Sequence, residues 1–134
     1  MGSMNTGVAS RVDRTRPIVM VVDDERVIAN TLAVILNQQA TSMAFYDGKS
    51  ALEAAHRIVP DLLLADVVMP GMSGVELAIA MKNVAPQCKV LLFSGQATTI
   101  NLLADARAAG HNFTLLQKPI HPTDLLARIS ELLH

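Results

Sequence analysis

The sequence predicts an α/β chain: a five-stranded parallel sheet, doubly wound, with helices on both faces. Three observations carry this. Five short apolar runs recur, at Ile18–Val22, Ser42–Tyr46, Leu62–Ala65, Val90–Phe93 and Phe113–Leu116. Most lack in/out alternation, as expected of strands covered on both faces. Helical patterns follow each run, so strand and helix alternate strictly, and turn residues fall at the boundaries.

The elements follow in order. The first strand runs straight into Asp23-Asp24-Glu25, and Ile28, Leu32, Ile35 and Leu36 then share one helical face. The second strand ends in Tyr46-Asp47; Asp47-Gly48 opens an Ala-rich helix near 48–57, which Pro60 stops. The third strand ends in Asp66. Ser73-Gly-Val-Glu76 is a capping box opening the third helix, whose face is Leu77, Ala80, Met81 and Val84, and Pro86 stops it. The fourth strand ends in Ser94-Gly95, and its helix, near 98–109, closes at Gly110. The fifth strand ends in Lys118-Pro119. Pro122 suits the first turn of the last helix, where Leu125, Ile129, Leu132 and Leu133 align.

The bulk numbers fit one domain. The 134 residues are 51% hydrophobic with three Phe, one Tyr and no Trp, so aliphatic side chains must build the core. A net charge of −1 provides no global field for nucleic acid, and no segment is long and apolar enough to span a membrane. The single Cys88 excludes an intramolecular disulfide and a Cys-based zinc site, which points to a reducing, cytoplasmic setting. Residues 1–16 mix small, polar and charged types. They read as a disordered tail that opens with an expression scar, Met1-Gly2-Ser3-Met4, and residues 17–134 as the domain.

In parallel α/β sheets the ligand site lies off the carboxyl ends of the strands. Four of the five strands deliver a charged or reactive group there: Asp23-Asp24, Asp66, Ser94 and Lys118. They converge if the strand order is 2-1-3-4-5. Clustered carboxylates suit a hard divalent cation, best Mg2+, which would relieve their repulsion. An ammonium and a hydroxyl nearby suit the oxygens of a phosphoryl group. A carboxylate facing them, and Asp66 stands alone at its strand end, can act as nucleophile.

Asp23-Asp24, Asp66 followed by Val-Val-Met-Pro-Gly-Met-Ser-Gly, Ser94-Gly95 and Lys118-Pro119 together resemble the receiver domain of bacterial two-component response regulators, over about residues 17–133. The resemblance implies a flavodoxin-like (βα)5 fold and a switch that catalyses only its own phosphorylation and dephosphorylation. A histidine kinase or a histidine phosphotransfer protein would phosphorylate Asp66. Mg2+ would be held by Asp24, Asp66 and the Val68 carbonyl, with Asp23 acting through water. Ser94 and Lys118 would hold the phosphoryl group, and the Lys118–Pro119 bond would be cis. An unidentified output protein would dock on the face of helix 4, strand 5 and helix 5, without direct contact to nucleic acid.

The sequence departs from the family at two places. The switch aromatic expected three residues before the lysine is Leu115 here, with Phe113 the nearest ring. Val68 and Gln96 occupy the positions that tune dephosphorylation, and an apolar Val68 cannot orient water; the reading is a long-lived phosphorylated state.

Each residue also has a plainer reading: a helix N-terminal acid cluster for Asp23-Asp24-Glu25, a loop carboxylate for Asp66, a turn for Ser94, a solvated lysine for Lys118. The four together outweigh them. The rival functions fit less well. A phosphohydrolase of the haloacid-dehalogenase type wants Asp-x-Asp after the first strand, and a flavin module wants a Gly/Ser/Thr-rich first loop. Two alternatives stay open: a receiver kept only for docking, and the receiver part of a larger DNA-binding or enzymatic regulator.

Overall fold

The computed structural model describes residues 15–95 and 99–133. Its elements are β1 (Ile18–Val22), α1 (Arg26–Leu36), β2 (Thr41–Phe45), α2 (Gly48–Ala55), β3 (Leu62–Asp66), α3 (Gly74–Val84), β4 (Lys89–Ser94), α4 (Thr99–Ala108), β5 (Thr114–Gln117) and α5 (Pro122–Leu133). All strand pairs are parallel and the order is β2-β1-β3-β4-β5.

The unbroken apolar runs follow from this arrangement. Successive residues of a strand point to opposite faces, and here both faces are covered. Val19, Val21, Leu62, Leu64, Leu91 and Phe93 pack in one core with α1 and α5. Met20, Val22, Leu63, Ala65 and Leu92 pack in the other with residues of α2, α3 and α4. Every residue of β1 and β3 is buried, whereas those of the edge strand β2 are half-buried.

The expected helical faces are rotated in detail. The innermost line of α1 is Ala29, Ala33 and Leu36, while Ile28, Leu32 and Ile35 are half-buried at its flanks. Small side chains let the helix approach the sheet, and the larger ones fill the wedges beside it. In α3 likewise Val75, Leu77, Ala78 and Met81 are buried, and Ala80 and Val84 are half-buried. β2 starts one residue early because the Thr41 amide already donates to the Pro17 carbonyl at 2.8 Å. β5 starts at Thr114, opposite Leu91, so Phe113 precedes the strand.

The punctuation acts as read. Asp47 caps α2 by accepting from the Ser50 amide at 2.7 Å, which holds its carboxyl below the ordinary range. Ser73 and Glu76 form the full capping box, at 3.1 and 2.9 Å. Gly110 ends α4 at φ +95°, a conformation that favours glycine, and the next amide, His111, donates to the Ala106 carbonyl at 2.8 Å. Cys88 is buried, and burial pushes its thiol up to about 11. Arg16, the last residue of the expected tail, donates from its guanidinium to the Asn37 carbonyl, and residues 1–14 of that stretch lie outside the described residues. No helix among the described residues is long and apolar enough to cross a membrane.

Candidate functional site

The carboxyl ends of β1, β3, β4 and β5 bring their polar groups together. Asp23 follows β1 directly, and its amide donates to the Phe45 carbonyl at 3.1 Å. It is fully buried, and its Oδ1 accepts from the Glu25 amide at 2.9 Å, which turns the chain out of the sheet. Asp66 is the last residue of β3 and is 6% exposed. The Lys118 amide donates to the Ser94 carbonyl at 2.9 Å, one step beyond the β4–β5 ladder, and the Lys118–Pro119 bond is cis.

From there the Lys118 ammonium reaches back across the strand ends. Its Nζ lies 3.4 Å from Asp23 Oδ2 and 3.4 Å from Asp66 Oδ2. Asp24 is exposed, yet one oxygen from each of Asp23, Asp24 and Asp66 lies within 4.8 Å of the others. Asp24, Asp66, Val68, Ser94 and Lys118 line an open cleft of about 590 Å³. Glu25, Met69 and Pro70, which the sequence reading quoted within their motifs but gave no role in the site, line it as well.

The charges do not balance: three carboxylates face one ammonium. Burial raises the Asp23 carboxyl above its ordinary value against the lowering effects of the Glu25 amide and Lys118. Burial raises Asp66 likewise, opposed first by Lys118 and then by the Val68 amide. A compact oxygen-only donor set with surplus negative charge fits a hard divalent cation, and the absence of nearby His or Cys ligands in that cluster argues against a soft one.

The acid cluster is therefore not a helix-capping device. Glu25 occupies the N-cap of α1 without a side-chain cap bond, and the first turn of α1 contains no acid. Leu115 pairs with Leu92 in the β4–β5 ladder and is half-buried. Phe113 is half-buried on the same face of the sheet, stacked on His111 with ring centroids 5.9 Å apart. Gln96 lies outside the described residues.

Two further residues were not anticipated. Gly74, the first residue of α3, abuts the backbone at the end of β3: a Cβ there would lie 2.1 Å from the Asp66 carbonyl oxygen. Phe93 places its ring under the Lys118 ammonium, 4.7 Å from centroid to Nζ. An aromatic residue in an otherwise aliphatic strand was its only sequence signal.

Residues 19–130 match the family model of the response regulator receiver domain. The chain belongs to that family. This receiver is 31% identical over 124 residues to the probable transcriptional regulatory protein TcrX of Mycobacterium tuberculosis, covering 92% of this chain and 52% of that protein. It is 29% identical over 119 residues to the transcriptional regulatory protein CreB of Escherichia coli, covering 88% and 51%. The receiver thus spans about half the length of the curated relatives it matches. Among solved structures it resembles a CheY-like receiver domain protein of Methanospirillum hungatei, with a TM-score of 0.79 and 26% identity, covering 88% of this chain and 94% of that one. The BeF3-activated DrrB receiver domain gives 0.76 and 25%, covering 88% and 97%.

Proposed function

We propose that this receiver is a phosphorylation-driven switch that takes a phosphoryl group on Asp66 from the phosphohistidine of a histidine kinase or a histidine phosphotransfer protein. The observation that carries the reading is the placement of Asp66. It is a nearly buried carboxylate at the floor of an open cleft, 3.4 Å from a lysine ammonium and clustered with two more carboxylates. The buried Asp23 and the exposed Asp24 complete the oxygen set for Mg2+, with the Val68 carbonyl. When bound, Mg2+ supplies positive charge between these carboxylates and the phosphoryl oxygens.

In the transfer, an Asp66 oxygen attacks phosphorus and forms the acyl phosphate. The phosphorus–nitrogen bond breaks, and its electron pair stays on the donor imidazole. Lys118 exchanges a carboxylate partner for a phosphoryl oxygen, and the Ser94 hydroxyl donates to another. Hydrolysis later returns phosphate and the free carboxylate. Output runs through protein contact on the face of α4, β5 and α5. The half-length match to regulators supports a place as the receiver part of a larger regulator, and the single thiol of Cys88 fits a reducing, cytoplasmic setting.

The test is intact-protein mass after incubation with Mg2+ and acetyl phosphate. The wild type should gain about 80 Da, one phosphate, only with Mg2+, and Asp66→Asn should gain none. A gain that survives in Asp66→Asn would move the acceptor elsewhere.

Val68 sets a second expectation. It is 40% exposed on the cleft and offers no polar atom from its side chain to orient water. Val68→Asn should therefore lose phosphate several-fold faster than the wild type, followed as decay of the phosphorylated mass after the donor is removed. An unchanged lifetime would remove Val68 from control of hydrolysis.

A further inference from the structure

We infer that Phe93 is a positioning residue for Lys118, holding its ammonium at the acceptor site through the face of the ring; this rests on Asp66 being the acceptor. Phe93 is the register partner of Asp66 across β3 and β4. Its ring is 1% exposed and packs in the core beneath α1 and α5. Lys118 Nζ lies over it, 4.7 Å from the centroid, within the range of a cation–π contact.

Lys118 needs such a support because it stands between two clefts. One is the acidic cleft. The other, of about 370 Å³, is apolar, lined by Ile28, Leu32, Phe93, Pro119 and Ile120 together with Lys118 itself. A flexible four-carbon stem between two openings has several places to go, and fixing it costs rotamer entropy. The two carboxylates at 3.4 Å hold the ammonium, but they also compete with a phosphoryl group for its N–H donors. The ring does not. It attracts the charge through its quadrupole and engages an N–H only weakly, so the donors turned away from the ring can be redirected to carboxylate or phosphoryl oxygens.

Leu at position 93 would fill much of the same space without the quadrupole. Fluorine on the ring weakens the quadrupole while nearly preserving the shape. The experiment replaces Phe93 with phenylalanines carrying one, two and three ring fluorines, and separately makes Phe93→Leu. Each protein is phosphorylated by acetyl phosphate with Mg2+ over a range of donor concentrations, with thermal unfolding as a check on folding.

The expected result is a stepwise fall in log rate with fluorine number, reaching roughly 3- to 10-fold for the most fluorinated ring. The half-saturating donor concentration should rise in step. A flat series in folded proteins, with a wild type that is phosphorylated, would overturn the role of the ring and leave the acceptor assignment standing. A wild type that gains no phosphate would sink the acceptor assignment instead. The contact is then judged in the metal-free protein by the Lys118 Hε resonances. An upfield ring-current shift that disappears in Phe93→Leu supports it, and unshifted resonances in the wild type overturn it.

Discussion

Gly74→Ala should destabilise the receiver by about 3 kcal/mol or more and slow phosphorylation of Asp66. The cause is contact with backbone. A Cβ on Gly74 would stand 2.1 Å from the Asp66 carbonyl oxygen, 2.8 Å from its carbon and 2.9 Å from the Val67 Cα. None of these is the end of a side chain that could swing away. The Gly74 amide also donates to the Val67 carbonyl at 2.8 Å, so α3 is tied to the very segment it would have to leave.

Relief requires α3 to move off the sheet or the end of β3 to bend. The first exposes Val75, Leu77 and Met81, which are buried now. The second displaces the Asp66 carboxylate. Urea unfolding reads the first and the rate of mass gain reads the second. Gly71 is the control. Its φ is +74° and a Cβ there would meet nothing within 4 Å, so Gly71→Ala should cost only about 1 kcal/mol of backbone strain. A loss at Gly74 no larger than that at Gly71 would show that the close packing is dispensable.

Lys118→Met should be the second large effect, costing the metal-free protein about 2 kcal/mol near neutral pH and removing most of the phosphorylation. The ammonium is the shared partner of Asp23, which is fully buried, and Asp66, which is nearly so. Its loss leaves two adjacent buried carboxylates facing each other. The cost is set below that of a fully buried pair because the Lys118 side chain is 23% exposed and water screens part of the interaction. Mg2+ should restore part of the stability, since a cation bound only by the folded state stabilises it.

The pH dependence follows from the same groups. Burial raises the Asp23 and Asp66 carboxyls in the folded protein. The folded state therefore binds these protons more tightly than the unfolded state does. The stability tied to them is full below the ordinary carboxylate value and is lost as pH rises through the folded values. Lys118 lowers both, so its removal should steepen the loss and extend it to higher pH. Urea midpoints without metal, measured between about pH 4 and pH 8, check this. Equal slopes for the wild type and Lys118→Met would mean that the ammonium does not govern the ionisation of the pair.

The legibility of this receiver is uneven, and the unevenness has physical causes. Strand runs and helix boundaries were readable because they depend on local chemistry. An unbroken run such as Val19–Val22 is a strand covered on both faces, Ser73 and Glu76 satisfy a helix start within four residues, and Gly110 accepts a positive φ. The cluster of polar groups was readable because strand ends in a parallel sheet share one rim. Once Asp23, Asp66, Ser94 and Lys118 were placed at strand ends, their convergence followed from topology.

What sequence alone determined, then, was the succession of elements, the all-parallel sheet and the identity of the residues at its carboxyl rim, because the elements rest on near neighbours in the chain and strict strand–helix alternation leaves crossover-linked parallel pairing as the arrangement that follows. Tertiary structure decided how the helices sit and what surrounds the rim. It placed Ala29 and Ala33 rather than Ile28 and Leu32 against the sheet, set Gly74 against the Asp66 backbone, and brought Phe93 under an ammonium 25 positions further along the chain. These are contacts between surfaces distant in sequence. Their distances are fixed by the packing of whole elements, and no local pattern of residue types records them.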